Sequence, residues 1–173
     1  MPISASQYSM DAAFEGQIAS LQNYTHVKGI QDGIVNSQST LLPFGRFVIE
    51  KPAGEPGEIQ LPDATGQTII GAVPLQDRFE KDTEGNSGIP TGQTAGVMVK
   101  GIIWLRAEVA MSRGDSVFVR HTANGTPGTY DAIGRIRNDA DTANADALDN
   151  VKLLDNVVAG GLARLELDLP TTL

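Results

Sequence analysis

Between Val97 and Val109 the chain reads VMVKGIIWLRAEV, and its side chains alternate with a period of two along the whole run. Val97, Val99, Ile103, Leu105, Ala107 and Val109 share one face with Gly101, while Met98, Lys100, Ile102, Trp104, Arg106 and Glu108 take the other. That period belongs to a β-strand, whose successive side chains point to opposite faces; a helix repeats every 3.6 residues. Strands usually run about five or six residues, so so long an alternation calls for an interruption, and Gly101 marks the place for a bulge or bend. One strand of this kind needs partners, and the rest of the chain supplies them.

The same alternation recurs in GRFVIE, where Phe47 and Ile49 oppose Arg46, Val48 and Glu50. In TIIGAVPL, the residues Ile69, Gly71, Val73 and Leu75 fall on one face. Near the end, GGLARLELDLP places Ala163, Leu165, Leu167 and Leu169 opposite Leu162, Arg164, Glu166 and Asp168. A further strand is expected from Ser116 to Arg120, and Asn124-Gly125 is a hairpin-turn signal. The 19 glycines and nine prolines punctuate these runs, and no long helical pattern intervenes. The fold class expected is mainly β, an antiparallel barrel or sandwich with long loops.

The first forty residues are polar, with scattered anchors Tyr8, Phe14, Ile18, Leu21 and Tyr24. Phe14, Ile18 and Leu21 stand at helical spacing behind a capping Asp11, but an extended arm explains the pattern equally well, so residues 1–40 read as an arm that is extended or a short helix. Residues 41–173 read as the β body, with polar inserts at 77–96 and 138–156, the second ending in a short helix near Leu148 to Leu154. Deleting Met1 to Asn36 is expected to spare the β core and weaken assembly.

Thirteen basic and 21 acidic side chains leave a net charge of −8, which repels phosphate backbones and anionic membranes, so neither nucleic acid nor membrane is expected as a partner. The absence of cysteine excludes disulfides and thiol chemistry. MPISASQYSM has neither the basic nor the apolar region of a signal peptide, and no run approaches the ~18 apolar residues of a membrane span. Cytosolic synthesis is the expectation.

The motifs that invite a chemical reading do not hold one. Arg113-Gly114-Asp115 matches an integrin-binding tripeptide, but it lies between two expected strands where a turn needs a glycine and a short polar side chain, and it is read as a turn. Asp139, Asp141, Asn144, Asp146 and Asp149 suggest a calcium loop. Aligned to an EF-hand, however, Asn144 falls on the glycine position and Asn150 on the bidentate glutamate, and a solvated acidic loop is the reading instead. His26 and His121 are the only histidines, and neither sits in a nucleophile or metal motif. GIPTGQTAG lacks the ending of a phosphate-binding loop. No enzyme activity, cofactor or metal is expected. Trp104, on the mixed face of its strand, is read as a packing or subunit-contact residue.

In their order along the chain, FEGQIASLQNY, LLPFGRFVIEKPAGEPGEIQLP, IIGAVPLQDR, GIPTGQTAGVMVKGIIWLRAE, GDSVFVRHTANGTPGT, AIGRIRN and LARLELDLP resemble the structural cement, or capsid-decoration, proteins of tailed bacteriophages. The resemblance rests on an arm ahead of Phe44-Gly45, a strand before the Gly114-Asp115 turn, and Ile133 to Arg135 ahead of the C-terminal strand. It covers nearly the whole chain, apart from the insert 138–156. It implies a barrel-like β body that sits on the outer surface of the icosahedral head and bridges subunits of the major capsid protein. It also implies self-association as a homodimer or homotrimer. No catalytic residues carry over. Candidate capsid or subunit contacts are Tyr8, Phe14, Ile18, Leu21, Tyr24 and Trp104. The alternative role is another virion β module, a head-fibre base or tail component that attaches to the host.

Overall fold

The structure is a computed structural model that describes residues 13–20, 26–28, 35–76, 80–81, 87–123 and 132–170. Its early strands are β1 (Ile18–Ser20), β2 (His26–Lys28), β3 (Val35–Asn36), β4 (Leu42–Pro43), β5 (Phe47–Glu50), β6 (Glu58–Gln60) and β7 (Ile69–Ala72). Then come β8 (Glu80–Lys81), β9 (Ser87–Ile89), β10 (Val97–Arg106), β11 (Phe118–Arg120) and β12 (Ile136–Arg137). The last are β13 (Ala145–Ala147), β14 (Val151–Leu153) and β15 (Leu162–Asp168). The described residues contain no helix. They form one nine-stranded sheet and two three-stranded sheets, β12-β11-β13 and β4-β9-β8. These sheets are open, so of the two architectures expected the sandwich fits and a closed barrel is not formed among the described residues.

Strand β10 organises the main sheet. Its alternation is realised beyond Val99, where Ile103 and Leu105 are buried while Lys100, Ile102, Trp104 and Arg106 are half-exposed; at its start Val97, Met98 and Val99 are all buried, so both faces are covered there. Gly101 has φ of 120°, but the interruption expected there does not form: β10 runs unbroken from Val97 to Arg106 and pairs in register with β15 through Gly101, and the register shift against β2 falls between Met98 and Lys100. Lys100 pairs with both His26 and Asp168, and Met98 with both Val27 and Ala72. A strand residue has one neighbour on each edge, so β15 and β7 lie end to end along one edge of β10. The other edge is lined by β1 and β2, through Ile18 opposite Ile103 and His26 opposite Lys100. The described arm residues are thus extended at Ile18–Ser20, and the helical alternative does not form there. Leu21 lies outside the described residues, as do Tyr8, Tyr24 and the Asn124-Gly125 turn.

Two apolar cores flank the middle of this sheet. One joins Ile103, Leu105, Ala163, Leu165 and Leu167 of β10 and β15 to Val117, Val119 and Ile136 around the β11–β12 pair. The second packs Val48, Ile59, Ile70, Val73 and Val97 against Leu42, Phe44 and Ile89. Phe47 belongs to the first core and Val48 to the second, so β5 is buried on both faces rather than alternating with solvent. The expected face of TIIGAVPL is also rearranged. Val48 pairs with Gly71 and Ile49 with Ile69, which leaves Ile70 as an extra residue and turns it towards the core that holds Val73. Burial on the C-terminal strand follows the expected alternation.

The insert 138–156 corrects the reading most. In place of a solvated loop and a short helix near Leu148 to Leu154, it provides β13, which pairs with β11, and β14, which pairs with β15. Ahead of β13 lies a tight turn at Asp141–Ala143 whose three residues all have positive φ, a conformation that Asp141 tolerates more readily than Thr142 or Ala143. The insert 77–96 likewise supplies β8 and β9, which pair with each other.

Candidate functional site

Where β10, β11 and β12 end, charged side chains from distant parts of the chain converge inside the sandwich. Glu15, just ahead of β1, lies 3.0 Å from Arg106, 3.5 Å from Arg135 and 3.7 Å from Arg46. The backbone holds it there. Gly16 N–H donates to Trp104 O at 2.8 Å and Trp104 N–H to Gln17 O at 2.8 Å, while Leu75 N–H donates to Gly16 O at 2.8 Å. The Phe14-Glu15-Gly16 and Phe44-Gly45-Arg46 segments cross at their glycines. A Cβ on Gly45, whose φ is +70°, would run into the Glu15 side chain and the Gly16 nitrogen. Burial draws the Arg46 guanidinium down to about 10; neighbouring Glu15 opposes that shift, and Arg135 and Arg106 reinforce it.

A second junction adjoins the first through Arg46, which feels the charges of both Glu15 and Glu108. Glu108 accepts from Arg120 Nε at 2.7 Å and from Arg137 at 3.3 Å. Asp141 binds the same two arginines, at 2.5 Å and 2.9 Å, and Asp139 accepts from Arg137 at 2.6 Å. Burial works against charge on Arg120, but its hydrogen bonds to Glu108 and Asp141 outweigh that and raise its pKa. The hydrogen bond from Arg120 in turn holds the Asp141 carboxyl below its ordinary range. Each cation thus meets carboxylates in fixed geometry, the condition under which buried charges are tolerated.

Three of the four carboxylates that suggested a calcium loop are engaged elsewhere. Asp139 and Asp141 serve arginines, and Asp146 accepts from Gly66 N–H at 2.6 Å and Thr65 Oγ1 at 2.9 Å. Among the described residues no three His, Asp or Glu side chains converge as metal ligands. The Arg-Gly-Asp triplet is a turn: Gly114 has φ of +86°, and Asp115 accepts from Ser112 N–H at 2.8 Å. His121 is buried beside Thr122 Oγ1, and its Nε2 stands 3.7 Å from Asp146.

Two features face outward near the junction. Arg164 stacks over Trp104, 5.8 Å from the ring centroid, and forks onto Asp155 at 2.6 and 3.0 Å. A groove of about 230 Å³ runs beside Glu15, with Arg46 and Arg106 among its lining and Phe14, Pro43, Phe44 and Leu75 around them. Of the candidate contacts, Phe14 is 69 % exposed at this groove, Ile18 packs against the main core, and Trp104 is half-buried under Arg164. The charged junction itself was missed from sequence. Its signal is arginine inside apolar runs: SVFVRH and AIGRIR carry Arg120, Arg135 and Arg137 with no acidic residue in either run. An arginine placed there must find its partner across the fold.

The pieces that carry the resemblance are the pieces that meet here: FEG brings Glu15, FGR Arg46, WLRAE Arg106 and Glu108, VFVR Arg120, and IGRIR Arg135 and Arg137. Among solved structures, a chain in "The capsid of Myoviridae Phage XM1" shares the fold with a TM-score of 0.66 at 18 % identity, over 92 % of each chain. No curated protein matches the chain. The family model for structural cement protein (E217 gp24/Pam3 gp6) matches residues 2–168, and the chain belongs to that family of phage structural cement proteins.

Proposed function

We propose that this chain coats the outside of a phage head and bridges neighbouring subunits of the major capsid protein, acting as a structural protein and not as a catalyst. The observation that carries this reading is the family match over residues 2–168. Membership of the family makes the chain a capsid component of the virion, located on the exterior of the shell. The physical properties agree with such a place. A net charge of −8 gives the protein no attraction to the packaged genome. Arginine–carboxylate pairs that join the segment ahead of β1 to β5, β10 and β12 stiffen the body that must bear load between subunits.

Phe14, Ile18 and Trp104 are the contacts we assign within the described residues, and Tyr8, Leu21 and Tyr24 continue the set along the N-terminal segment. A homodimer or homotrimer would repeat these contacts, and repetition over a symmetric lattice turns weak contacts into avid binding. The test is co-sedimentation with expanded, undecorated capsid shells across a range of salt. Saturable binding at a stoichiometry set by the lattice is expected. Folded protein that stays in the supernatant at every salt concentration overturns the reading, and binding to host cells instead would assign the chain to a fibre or tail.

A further inference from the structure

The groove beside Glu15 combines an apolar rim with a lining of two arginines. Its rim is apolar and open: Phe14 is 69 % and Leu75 39 % exposed, and with Val158 they are the exposed large hydrophobics of the described residues. Its lining is cationic in a protein whose net charge is −8, for Arg46 and Arg106 both reach it. Three guanidinium groups stand around the one carboxylate of Glu15; the buried Nε of Arg46 makes no hydrogen bond and lies 3.7 Å from Glu15 Oε1, too far to be satisfied by it. Arg106 remains about one-third exposed, so an incoming group can reach it. Two lining arginines against one carboxylate, one of them with an unsatisfied Nε, next to an uncovered apolar rim, are complementary to a further carboxylate with an apolar neighbour.

We propose that this groove receives an acidic side chain of the capsid protein together with an adjacent apolar one. The carboxylate pairs with Arg106 and Arg46, and the apolar side chain lies between Phe14 and Leu75. This assignment rests on the capsid-binding reading above. It gives the exposed Phe14 an occupant, and it places the contact directly on the segment that carries Glu15, so that docking a partner and fixing that segment to the body use the same arginines.

The test compares the parent protein with Phe14→Ser, Leu75→Ser, Leu75→Gln and Leu75→Glu for binding to undecorated shells, with thermal melting as the folding control. Both positions are exposed, so melting should stay near that of the parent. Each serine variant is expected to bind about tenfold more weakly, the loss of one central apolar contact. Leu75→Glu should bind more weakly than Leu75→Gln, and that difference should shrink as salt rises, because it reports repulsion of an incoming carboxylate. Equal binding by the Glu and Gln variants would overturn the acidic partner. Parent-like binding by all four would overturn the groove while leaving capsid decoration intact. Failure of the parent itself to bind is the separate failure of the decoration reading. Sedimentation mass is measured in parallel, and variants that change self-association but not shell binding would assign the groove to a second copy and overturn the proposal.

Discussion

Arg120 with Glu108 and Arg164 with Asp155 are the same chemical pair in two settings. Both are charge-assisted hydrogen bonds near 2.7 Å, and both join residues distant in sequence or brought together by strand pairing. The first pair has side chains 1 % and 3 % exposed; the second, 46 % and 25 %. Outside, water already solvates both partners, so the pair gains little and tunes the surface. Inside, neither partner can return to water without disrupting the fold, and the pair becomes a condition for the fold to close at all. The difference lies in the environment and not in the bond.

The sharpest way to break this comparison is to remove one partner in each setting. Glu108→Ala leaves Arg120 and Arg137 with a buried charge deficit and should cost about 3–5 kcal/mol in urea unfolding. A loss no larger than that of Arg164→Ala would show that the interior junction is solvated after all.

Glu15→Ala tests the intermediate case, a carboxylate 18 % exposed that links the segment ahead of β1 to the body. About 2 kcal/mol is expected, below the fully buried range because solvent reaches it in part. Amide exchange at Trp104, whose N–H donates to Gln17, should accelerate. Deletion of Met1 to Asn36 is the stronger form. The sequence reading expects the core to survive it, whereas the pairing of β1 and β2 along β10 predicts an exposed strand edge and aggregation, measurable by light scattering.

Acid titrates one carboxylate from each network, Asp141 and Asp155, which are 24 % and 25 % exposed and differ in how many arginines they meet. Asp141 and Asp155 are each held below the ordinary carboxylate value of 3.8 by hydrogen bonds from Arg120 and Arg164. A carboxyl whose folded pKa is depressed stabilises the fold above its unfolded pKa, and that contribution disappears as pH falls through the ordinary range towards the folded value. Melting temperature should therefore be flat from neutral pH to about 5 and fall below about 4. Asp141 meets both Arg120 and Arg137 where Asp155 meets Arg164 alone, so Asp141→Asn should flatten more of that acid limb than Asp155→Asn; the reverse order would overturn this expectation.

Smaller effects close the series. Gly114→Ala at φ +86° has open space around it, so only backbone strain is added, about 1 kcal/mol by thermal unfolding. Arg164→Ala, which removes an exterior ion pair and a ring stack, should cost ~1 kcal/mol or less.

The alternation along β15 and the later part of β10 was legible because one face of each meets a core, and that face is written in every second residue; the start of β10, Val97 to Val99, is buried on both faces. The readings of β5 and β7 were partial. Val48 and Arg46 look like an outward face in sequence and are buried, Val48 against Leu42 and Ile89 of a second sheet and Arg46 beside Glu15 and Ala132. The insert 138–156 was misread because its acidic residues look solvated when their arginines are invisible. Arg120 lies 21 positions from Asp141, and no local pattern connects them. Of the site, Phe14 was legible as an apolar anchor in a polar segment, but the groove that gives it a neighbour was not.

The sequence by itself determined a cysteine-free, acidic, mainly β chain, most of the strands that carry a one-sided apolar face, and the turns that demand glycine. Those properties follow from side-chain period and backbone sterics, which act over a few residues. Tertiary structure alone decided which charges are buried together, which edge of β10 the N-terminal segment covers, and where an apolar rim meets a cationic groove. These depend on contacts between residues far apart in the chain, and desolvation, which sets their strength, exists only once the chain has folded around them.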